Sequence, residues 1–485
     1  MSARSIHWFR QDLRLTDNPA LRRACELGEV IPVYVLDDIS SASWRMGGAS
    51  RVWLHESLAS LNASLDGRLI ILRGAADELI PALAQALAVE HVVWNRCYEP
   101  WRIKRDKKIK EQLQSEGINV ESFNGSLLWE PWEVSKKDGT PYKVFTPYFR
   151  KGCAAAEQPR QPLPKPRAMR VADYEGVSAA LCKTTGQLQL LSLEDLELLP
   201  KVPWHKGFYE HWAIGERAGL KKIKEFIDGP MAEYKQRRDY PADGLGSRLS
   251  PHLHFGEVSP HQVWASAIQA PQMDDETNRD HFLSELGWRE FSHYLLYHWP
   301  HFPDQPFNEK YAEFPWLDDE AGFAAWCRGK TGFPIVDAGM RELWQTGFMH
   351  NRVRMIVASF LVKNQLIPWQ RGEAWFWDCL LDADLAANSA SWQWTAGCGA
   401  DAAPYFRIFN PVTQSEKFDP EGAYISRYCP ELAKLPKKFI HKPWTADDDL
   451  LKQSGVVLGQ DYPHPILDLK ATRERALAAN KSLSQ

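Results

Sequence analysis

The chain lacks the features that would place it outside the cell or in a membrane. None of its 8 cysteines forms a C-x-x-C pair, so neither a metal site nor a disulfide framework is predicted; the alternative is a cluster built from distant cysteines. No apolar run reaches the length of a membrane-spanning helix. The first residues, MSARSIHWFRQ, lack the apolar segment of a secretory signal. We therefore expect a cytoplasmic protein with no membrane partner.

A strong charge and the common nucleotide motifs are also lacking. The net charge is -4, so the chain as a whole does not attract nucleic acid, and a basic patch would have to be local. Neither G-x-G-x-x-G after the first apolar run nor G-x-x-x-x-G-K occurs, which argues against a dinucleotide fingerprint and a P-loop. Aromatic residues are abundant instead, with 21 Trp, 21 Phe and 15 Tyr. The tryptophans concentrate after residue 285.

The apolar patterns divide the chain into an α/β part and a helical part. At 485 residues it is long enough for two or three domains. Residues 1–132 alternate apolar runs with amphipathic stretches, which predicts a Rossmann-like parallel sheet with flanking helices. Residues 133–205 form a predicted connector, proline-rich at 157–170, and residues 206–485 a larger all-α domain. The predicted strands are SIHWFR, VIPVYVLD, RLIILRG, HVVWNRC and a weaker INVESF.

The segment DLAANSASWQWTAG combines functional side chains with small residues. On a helix, Asp384, Asn388 and Trp392 are four residues apart and form one stripe. An acid, an amide and an indole on one inward stripe suit a flat ligand with polar edges. The alternative is a buried, hydrogen-bonded Asp and Asn beside a core tryptophan.

Two further helical segments carry polar residues on one face. Glu285 and Trp288 lie three residues apart in SELGWREF, and Asn351 and Met355 lie four apart in FMHNRVRM. Each of these residues, taken alone, also fits a structural role. Together they mark two candidate faces for a ligand.

An ion pair and a helix start indicate how a charged ligand could be held. Arg354 could pair with Asp382 and so join two helices. In GSRLSPHLHFGEVSP, Ser247 and Ser250 flank a predicted helix start, with Pro251 in the first turn. Free N–H groups and hydroxyls at such a start can bind phosphate, and an ordinary N-cap is the alternative.

Taken in order, these segments resemble the photolyase/cryptochrome family of blue-light flavoproteins. The resemblance covers nearly the whole chain, and its details are most similar to bacterial cyclobutane pyrimidine dimer photolyases of the branch close to plant cryptochromes. The matching stretches are HWFRQDLRLTDNPAL, SRLSPHLHFGEVSP, ELGWREF, TGFPIVDAGMRELWQTGFMHNRVRM and DADLAANSASWQWTAGCGADAAPYFRIFNP.

The resemblance implies non-covalent FAD in the helical domain. At Gly246 this chain departs from the family, which more often has Thr there, so one phosphate contact does not carry over. An amide at the position of Asn388 is typical of repair enzymes in the family rather than of plant photoreceptors. The implied FAD residues are Tyr234, Arg238, Ser247, Leu249 and Ser250 on the phosphate and ribityl side, and Arg354, Asp382, Asp384 and Asn388 on the isoalloxazine side.

The implied activity is that of a deoxyribodipyrimidine photolyase, a carbon–carbon lyase acting on UV-damaged DNA. Reduced FAD excited by blue light donates an electron to a flipped-out cyclobutane dimer, which splits into intact pyrimidines. Repair of (6-4) photoproducts is not expected, because those enzymes have a second His where this chain has Asn351. The implied lesion residues are Trp288 and Trp394 as aromatic walls, Glu285 and Asn351 as hydrogen-bonding groups, and Met355 beside them.

The resemblance also implies an electron relay and local DNA contacts. Trp392, Trp369 and Trp316 match the family's tryptophan relay, which reduces the flavin; any one of them alone would be assigned to core packing. Arg352 and Arg407, with Lys417 as a weaker candidate, are the implied phosphate contacts around DAAPYFRIFNP. We expect a monomer.

A second, antenna chromophore is implied for the α/β domain. The enterobacterial folate pattern has Asn-Glu where this chain has Trp101-Arg102, so that contact does not carry over. Trp44, Glu99 and Trp101 could instead form a stacking site. The expected antenna is 5,10-methenyltetrahydrofolate, with deazaflavin or no antenna as alternatives.

Two other functions compete with repair. A blue-light photoreceptor would share the fold and FAD, and would usually carry a long C-terminal tail, whereas this chain ends at ATRERALAANKSLSQ, soon after the family domain. A flavoprotein or nucleotide-binding electron carrier without photochemistry would not need the tryptophan relay. Dimer repair under blue light separates these three functions.

Overall fold

A parallel β-sheet begins the fold in the computed structural model, which describes residues 3–181, 188–270, 276–402 and 406–483. The strand order is β3-β2-β1-β4-β5, with β6 beside β2. Five strands confirm the five predicted apolar runs, whereas β6 is too short to show a pattern. The strands are β1 (Ala3–Phe9), β2 (Gly28–Leu36), β3 (Ile70–Arg73), β4 (His91–Asn95), β5 (Asn119–Phe123) and β6 (Arg170–Val171).

The parallel pairing explains why these strands read as continuous apolar runs. Ile6 of β1 is in register with Ile31 of β2 on one side and Val92 of β4 on the other. All three are fully buried, as expected where helices cover both faces of a sheet. The strand order reverses between β1 and β4, and in open parallel sheets ligands generally bind at the carboxyl ends of the strands at such a reversal.

Helices make up most of the remaining described chain. After β6 the described residues form helices and loops, which confirms the predicted helical region. The helices are α1 (Pro19–Leu27), α2 (Gly48–Ser64), α3 (Ala76–Ala86), α4 (Pro100–Ser115), α5 (Phe145–Pro147), α6 (Tyr174–Leu181), α7 (Phe208–His211), α8 (Glu216–Ile227), α9 (Tyr234–Arg237), α10 (Ser250–His254), α11 (Pro260–Ile268), α12 (Glu276–His298), α13 (Glu320–Cys327), α14 (Pro334–Thr346), α15 (Asn351–Ser359), α16 (Trp369–Cys379), α17 (Leu385–Ala396), α18 (Pro411–Phe418), α19 (Ala423–Tyr428), α20 (Lys437–Ile440), α21 (Asp448–Gln453) and α22 (Leu469–Ser482).

The chain forms two compact units. The first unit comprises Met1–Ala232 and Ser247–Pro300, and therefore holds the sheet, α10 and α12. The second unit comprises Glu233–Gly246 and His301–Gln485, and therefore holds α9 and α13 to α22. The domain boundaries that we place at residues 132 and 206 remain a prediction.

The core of the second unit is rich in aromatic side chains. Trp326, Trp369 and Trp392 are almost fully buried in it, together with Phe360 and Phe376. A π-helical turn, Phe360–Asn364, continues α15 and carries its apolar side chains into this core. Among the residues that the structure describes, no helix is both long and apolar enough to cross a membrane.

Candidate functional site

Helix α17 carries the predicted stripe and is capped at both ends. The Asp384 carboxylate accepts a hydrogen bond from the Ala387 backbone N–H at 2.8 Å, which makes Asp384 the N-cap. Gly397 ends the helix in the left-handed conformation, with φ +88°. Asn388 and Trp392 are buried, so the predicted face is confirmed as the inward face.

The amide of Asn388 is anchored to the neighbouring helix α16. Its Nδ2 donates to the Glu373 backbone carbonyl at 3.1 Å. The Glu373 carboxyl group is buried as well and accepts a hydrogen bond from the Ser389 hydroxyl, next to Asn388. Burial raises the pKa of Glu373 from 4.5 to about 8, against the lowering effect of Ser389. A protonated, neutral carboxyl group therefore lies behind Asn388 at neutral pH.

Glu373 should make stability fall as the pH rises. The folded protein binds this proton more tightly than the unfolded chain, so the stabilisation is complete below pH 4.5 and is lost as the pH rises toward about 8. In Glu373→Gln this contribution is absent, so the variant should be similar to wild type at pH 4 and more stable than wild type at pH 9. The expected slope of the difference reaches about 1 kcal/mol per pH unit. Thermal unfolding of both proteins across this range measures it, and parallel curves would contradict it.

The predicted ion pair between Arg354 and Asp382 is present. Arg354 Nη2 lies 3.1 Å and 2.8 Å from the two oxygens of the Asp382 carboxylate. Arg354 Nε also donates to the Met349 carbonyl at 2.7 Å, which fixes the plane of the guanidinium. The pair ties α15 to the segment that precedes α17, and a quarter of the arginine side chain stays exposed.

Two predicted FAD residues, Tyr234 and Arg238, lie at the start of the second unit. Tyr234 is buried at the start of α9, and the Arg238 guanidinium lies 5.0 Å from its ring centre. The next residue, Asp239, pairs with Arg352 of α15 at 2.7 Å. Arg352, a predicted DNA contact, therefore already has a carboxylate partner within the second unit.

An aromatic platform supports the basic residues near α15. The Arg352 guanidinium lies 4.4 Å from the ring centre of Phe418, and Lys417 Nζ lies 5.0 Å from it. A cation over an aromatic face is attracted by the ring, and the Arg352 side chain remains 19% exposed. Phe418 thus organises two of the three predicted phosphate contacts.

Trp394 and Arg407 lie at one cleft of the second unit. The Trp394 indole donates to the Asp401 carbonyl at 3.1 Å, which fixes the ring. At the same cleft, the buried Lys363 donates to the Ala396 carbonyl at 2.5 Å, at the C-terminus of α17. The cleft is lined by Ser359, Lys363, Trp394, Thr395, Gly397, Arg407 and Phe409. Two predicted substrate residues are therefore brought together.

The three predicted relay tryptophans differ in exposure. Trp392 and Trp369 are buried, whereas Trp316 is half-buried and packs on Phe314 at 4.4 Å between ring centres. This order, from buried to exposed, fits the predicted path from the flavin to the surface. The path itself remains a prediction.

Gly372 allows Trp392 to lie close to α16, a requirement that sequence reasoning missed. A Cβ atom at this glycine would lie 2.1 Å from Cη2 of Trp392 and 2.7 Å from Cδ2 of Leu361. Only the absence of a side chain permits this approach. The signal in the sequence is a glycine three residues after Trp369 on the same helix.

Gly372→Ala should therefore displace the Trp392 ring. We expect a loss of about 1–3 kcal/mol in the free energy of unfolding from overpacking. Because the resemblance assigns Trp392 to an electron relay, light-driven reduction of the implied flavin should slow as well. Gly229→Ala is the control, because its Cβ would meet nothing closer than the Glu225 carbonyl at 3.5 Å. Equal stability of the two variants would contradict this prediction, since it would mean that the Trp392 ring can move aside with no loss in the free energy of unfolding.

The first unit holds the remaining predicted FAD residues. Helix α10 begins at Ser250, with the buried Leu249 in the capping position and Pro251 in the first turn. Ser247 lies three residues before this start, as predicted. The helix spans only five residues, so the phosphate role of this segment remains a prediction.

Glu285 and Trp288 of the first unit share one face of α12. The Trp288 ring stacks on Phe145 at 3.9 Å between ring centres and 12° between planes. Glu285 and Trp288 are both half-buried. Trp288 is thus held rigidly on one side, as an aromatic wall requires.

The predicted antenna residues also lie in the first unit. Glu99 is the residue before α4, and its carboxylate lies 3.3 Å from Arg102 Nε. Trp101 lies in the first turn of α4, and Trp44 ends a short helical turn, Ala42–Trp44. Both tryptophans are half-buried. The structure leaves their stacking role a prediction.

Gln393 is a second residue that sequence reasoning missed. Its side-chain amide donates to the carbonyls of Phe302 and Gln305, at 2.5 Å and 2.9 Å, and accepts from the Phe307 N–H at 2.7 Å. It therefore ties the loop before α13 to α17. Its position between Trp392 and Trp394 was the signal for it in the sequence.

Some features named in the sequence fall outside the structure's described ranges. These are Cys182 and residues 403–405 of the segment DAAPYFRIFNP. The seven described cysteines are free thiols. Within the described ranges, no three His, Cys, Asp or Glu side chains gather as metal ligands.

Comparison with known proteins places these residues in a family context. A family model described as DNA photolyase matches residues 5–167, and one described as the FAD binding domain of DNA photolyase matches residues 282–482. A deoxyribodipyrimidine photo-lyase from Agrobacterium fabrum is 46% identical over 98% of this chain and 97% of its own length. Cryptochrome-1 of Arabidopsis thaliana is 37% identical over 99% of this chain and 70% of its own. The crystal structure of a class III photolyase from Agrobacterium tumefaciens superposes with a TM-score of 0.92 at 45% identity, covering 100% and 98% of the two chains.

Proposed function

The chain belongs to the photolyase/cryptochrome family, and from this premise we propose that it is a deoxyribodipyrimidine photolyase. Its substrate is then DNA with cyclobutane pyrimidine dimers, and its reaction is the light-driven splitting of the dimer. The observation that carries the proposal is the buried, anchored amide of Asn388 in a chain that aligns over its full length with a photo-lyase. An amide at this position is neutral at every pH and does not donate its proton as an acid would.

The residues of the second unit fit FAD, the cofactor of the matched family model. The small residues Ala386, Ala387 and Ser389 permit a close approach to α17, and the Arg354 side chain, one quarter exposed, offers a positive charge beside Asp382. Arg238 supplies a further cation for the phosphates. When bound, reduced and excited by blue light, FAD supplies the electron that opens the cyclobutane ring. The protein residues bind and orient it.

The lesion contacts follow from side-chain chemistry. Photolyases are among the enzymes that take their target bases out of the DNA stack, and they need aromatic walls and polar partners for them. We assign the walls to Trp288 and Trp394 and the polar contacts to Glu285 and Asn351, with Met355 packed beside them. Hydrogen bonds to the pyrimidine carbonyls stabilise the charge that develops during splitting. These roles rest on the resemblance.

The DNA backbone is assigned to local basic residues. Arg407 at the Trp394 cleft, and Arg352 and Lys417 on the Phe418 platform, are the proposed phosphate contacts. Each removed contact should lower the slope of log affinity against log salt by about one. To bind a DNA phosphate, Arg352 must either leave the Asp239 carboxylate or contact both groups at once.

A direct repair assay tests the proposal. The purified holoprotein is reduced in the dark, mixed with an oligonucleotide containing one thymine dimer, and illuminated with blue light. Recovery of intact thymines is expected under illumination and none in the dark. Asn351→Ala should recover thymines more slowly than wild type. If the illuminated wild type restores no thymines, repair is not the function.

A blue-light photoreceptor is the alternative, favoured by the identity with Cryptochrome-1 of Arabidopsis thaliana. Such a protein would reduce its flavin in light and change its binding to a partner, without splitting dimers. The same assay distinguishes the two functions, because a photoreceptor would leave the thymine dimer intact under blue light.

We further propose that an antenna, if carried, is 5,10-methenyltetrahydrofolate at Trp44, Glu99 and Trp101 rather than deazaflavin. Arg10, the residue that follows β1, places its guanidinium 4.7 Å and 5.9 Å from the ring centres of Trp8 and Trp94. A deazaflavin ring stacked on Trp8 or Trp94 would have to displace this arginine.

Acid release of the bound chromophores, followed by chromatography against folate and deazaflavin standards, tests this antenna proposal. Recovery of folate from wild type and its loss from Trp101→Ala are expected. Deazaflavin in the extract would overturn the assignment.

A further inference from the structure

A buried lysine holds the last turn of α17, the turn that carries the proposed lesion wall Trp394. The last four carbonyls of a helix have no partner within the helix. The Ala396 carbonyl is one of these, and it accepts a hydrogen bond from Lys363 Nζ at 2.5 Å. Lys363 is only 1% exposed, although a lysine side chain is almost never buried so completely. The end of α17 is therefore fixed from the interior of the second unit.

The same amine also contacts the chain segment that follows α17. Lys363 Nζ lies 3.2 Å from the ring centre of Phe406, the residue before Arg407. Gly397 lies beside both contacts, because a Cβ atom there would be 3.2 Å from Lys363 Nζ and 3.6 Å from Cδ2 of Phe406. An ammonium group is attracted to the face of an aromatic ring. Lys363 thus contacts both sides of the cleft that Trp394 and Arg407 line.

Ser359 makes a similar contact four residues before Lys363. Its buried hydroxyl accepts a hydrogen bond from the Phe409 backbone N–H at 3.2 Å. Lys363 itself belongs to the π-helical turn Phe360–Asn364, and turns of this kind are frequent at functional sites. Ser359 and Lys363 therefore form a common floor for the cleft, with hydrogen bonds to both of its sides.

This floor continues the line of the proposed lesion contacts on α15. Asn351, Met355, Ser359 and Lys363 follow one another at intervals of four residues, the spacing of neighbours on a helix surface. The helix to which Asn351 and Met355 belong is thus continuous with the turn that holds the end of α17. All of these groups lie in the second unit, so the connection is internal to one compact body.

We propose that Lys363 is a positioning residue for lesion binding, which fixes Trp394 in place as an aromatic wall. It does so by holding the last turn of α17 and the Phe406 segment at a constant distance. The inference rests on the proposed function, because it takes Trp394 as a wall for the pyrimidine dimer. Lys363 is too deeply buried to bind DNA directly, so its effect on the lesion is transmitted by Trp394.

Lys363→Met removes the amine and keeps a side chain of similar length. Burial lowers the pKa of Lys363, because a buried ammonium group loses its hydration, so the charge itself does not stabilise the fold. An apolar side chain of similar volume is tolerated well at such a position. The variant should therefore fold and bind FAD, while the Ala396 carbonyl and the Phe406 ring lose their common partner.

Thr472→Val is the matched control on the other side of the same turn. Asn364, the residue after Lys363, donates from Nδ2 to the buried Thr472 hydroxyl of α22 at 3.2 Å. The control removes this buried hydrogen bond without changing a residue that lines the cleft. It should lower the stability of the protein and leave its affinity for dimer DNA unchanged.

Double-mutant cycles show whether Lys363 acts through Trp394. The affinity of each holoprotein for a dimer-containing and an undamaged oligonucleotide is measured in the dark at one salt concentration. Lys363→Met should weaken dimer binding about tenfold in wild type and less than about twofold in Trp394→Ala. In Trp288→Ala, which lacks the other wall, the tenfold loss should persist, because Trp288 is held by Phe145. Repair at saturating dimer DNA should stay close to wild type, since the loss lies in binding.

Any other pattern overturns the proposal. An equal loss in the Trp394→Ala background would mean that Lys363 acts independently of Trp394, and a loss that vanishes in Trp288→Ala as well would not be specific to Trp394. A tenfold loss in Thr472→Val would trace the effect to general destabilisation. If Lys363→Met does not fold, Phe406→Leu replaces it in both cycles, because it removes the ring that the amine contacts.

Repair by the wild-type preparation is recorded in parallel. A wild type that neither prefers dimer DNA nor repairs it contradicts the proposed function, and the role of Lys363 is refuted with it. A wild type that repairs the dimer while the Lys363→Met and Trp394→Ala effects simply add refutes the role of Lys363 alone.

Discussion

Trp392→Phe should slow light-driven reduction of the flavin by about tenfold or more, a barrier increase of about 1.4 kcal/mol. The indole is the only group of this residue that gives up an electron readily, and phenylalanine does not replace it in this role. The phenyl ring can still pack against Phe376, whose ring centre lies 5.0 Å from that of Trp392. Flavin absorbance under blue light with an external reductant measures the rate.

Repair by chemically reduced Trp392→Phe should match that of wild type, because the relay only prepares the cofactor. Trp344→Phe is the matched control, since Trp344 is an exposed tryptophan of the same unit that is stacked on Trp375. It should change neither measurement. Loss of repair in the reduced Trp392 variant would mean that Trp392 also serves the splitting step, and our division of roles would be wrong.

The sequence predicted the elements of the fold well where the pattern is local. Strands β1 to β4 are rich in β-branched and apolar residues and are mostly buried, so hydrophobic burial decides their structure. The weaker pattern of β5 matches its place at the edge of the sheet, where only Val120 is buried. The inward face of α17 could be predicted equally well, because residues four apart, such as Asn388 and Trp392, lie on the same side of any α-helix. Boundaries shifted only by a few residues, as at the N-cap Asp384.

The contacts of the site were less predictable, because they join residues far apart in sequence. Asp239 and Arg352 are 113 positions apart, and nothing near either residue indicates the other. The π-helical turn at Phe360–Asn364 follows an ordinary helical pattern, and only packing in the core selects it. Glu373 reads as a surface residue of α16, yet it is buried behind Asn388. The resemblance supplied roles for residues but not these partners.

Arg354→Met should destabilise the protein by roughly 3–4 kcal/mol, the largest loss of stability that we expect from one substitution. The Asp382 side chain is only 3% exposed, so its carboxylate would remain buried without the guanidinium. The variant should also lose FAD on purification, because the same guanidinium is the proposed positive charge beside the flavin. Chemical unfolding of wild type and variant measures the first effect, and bound flavin per protein measures the second.

A matched surface pair shows whether burial is the cause. Arg371 lies 2.6 Å from Glu320, whose side chain is 73% exposed, so Arg371→Met should cost at most about 1 kcal/mol. The double variant Arg354→Met with Asp382→Asn should be more stable than Arg354→Met alone, because no buried carboxylate is left unpaired. Equal losses for Arg354→Met and Arg371→Met would place the Asp382 charge in contact with solvent. The Arg354–Asp382 pair would then only fix the position of α15, and another residue would have to supply the proposed positive charge beside the flavin.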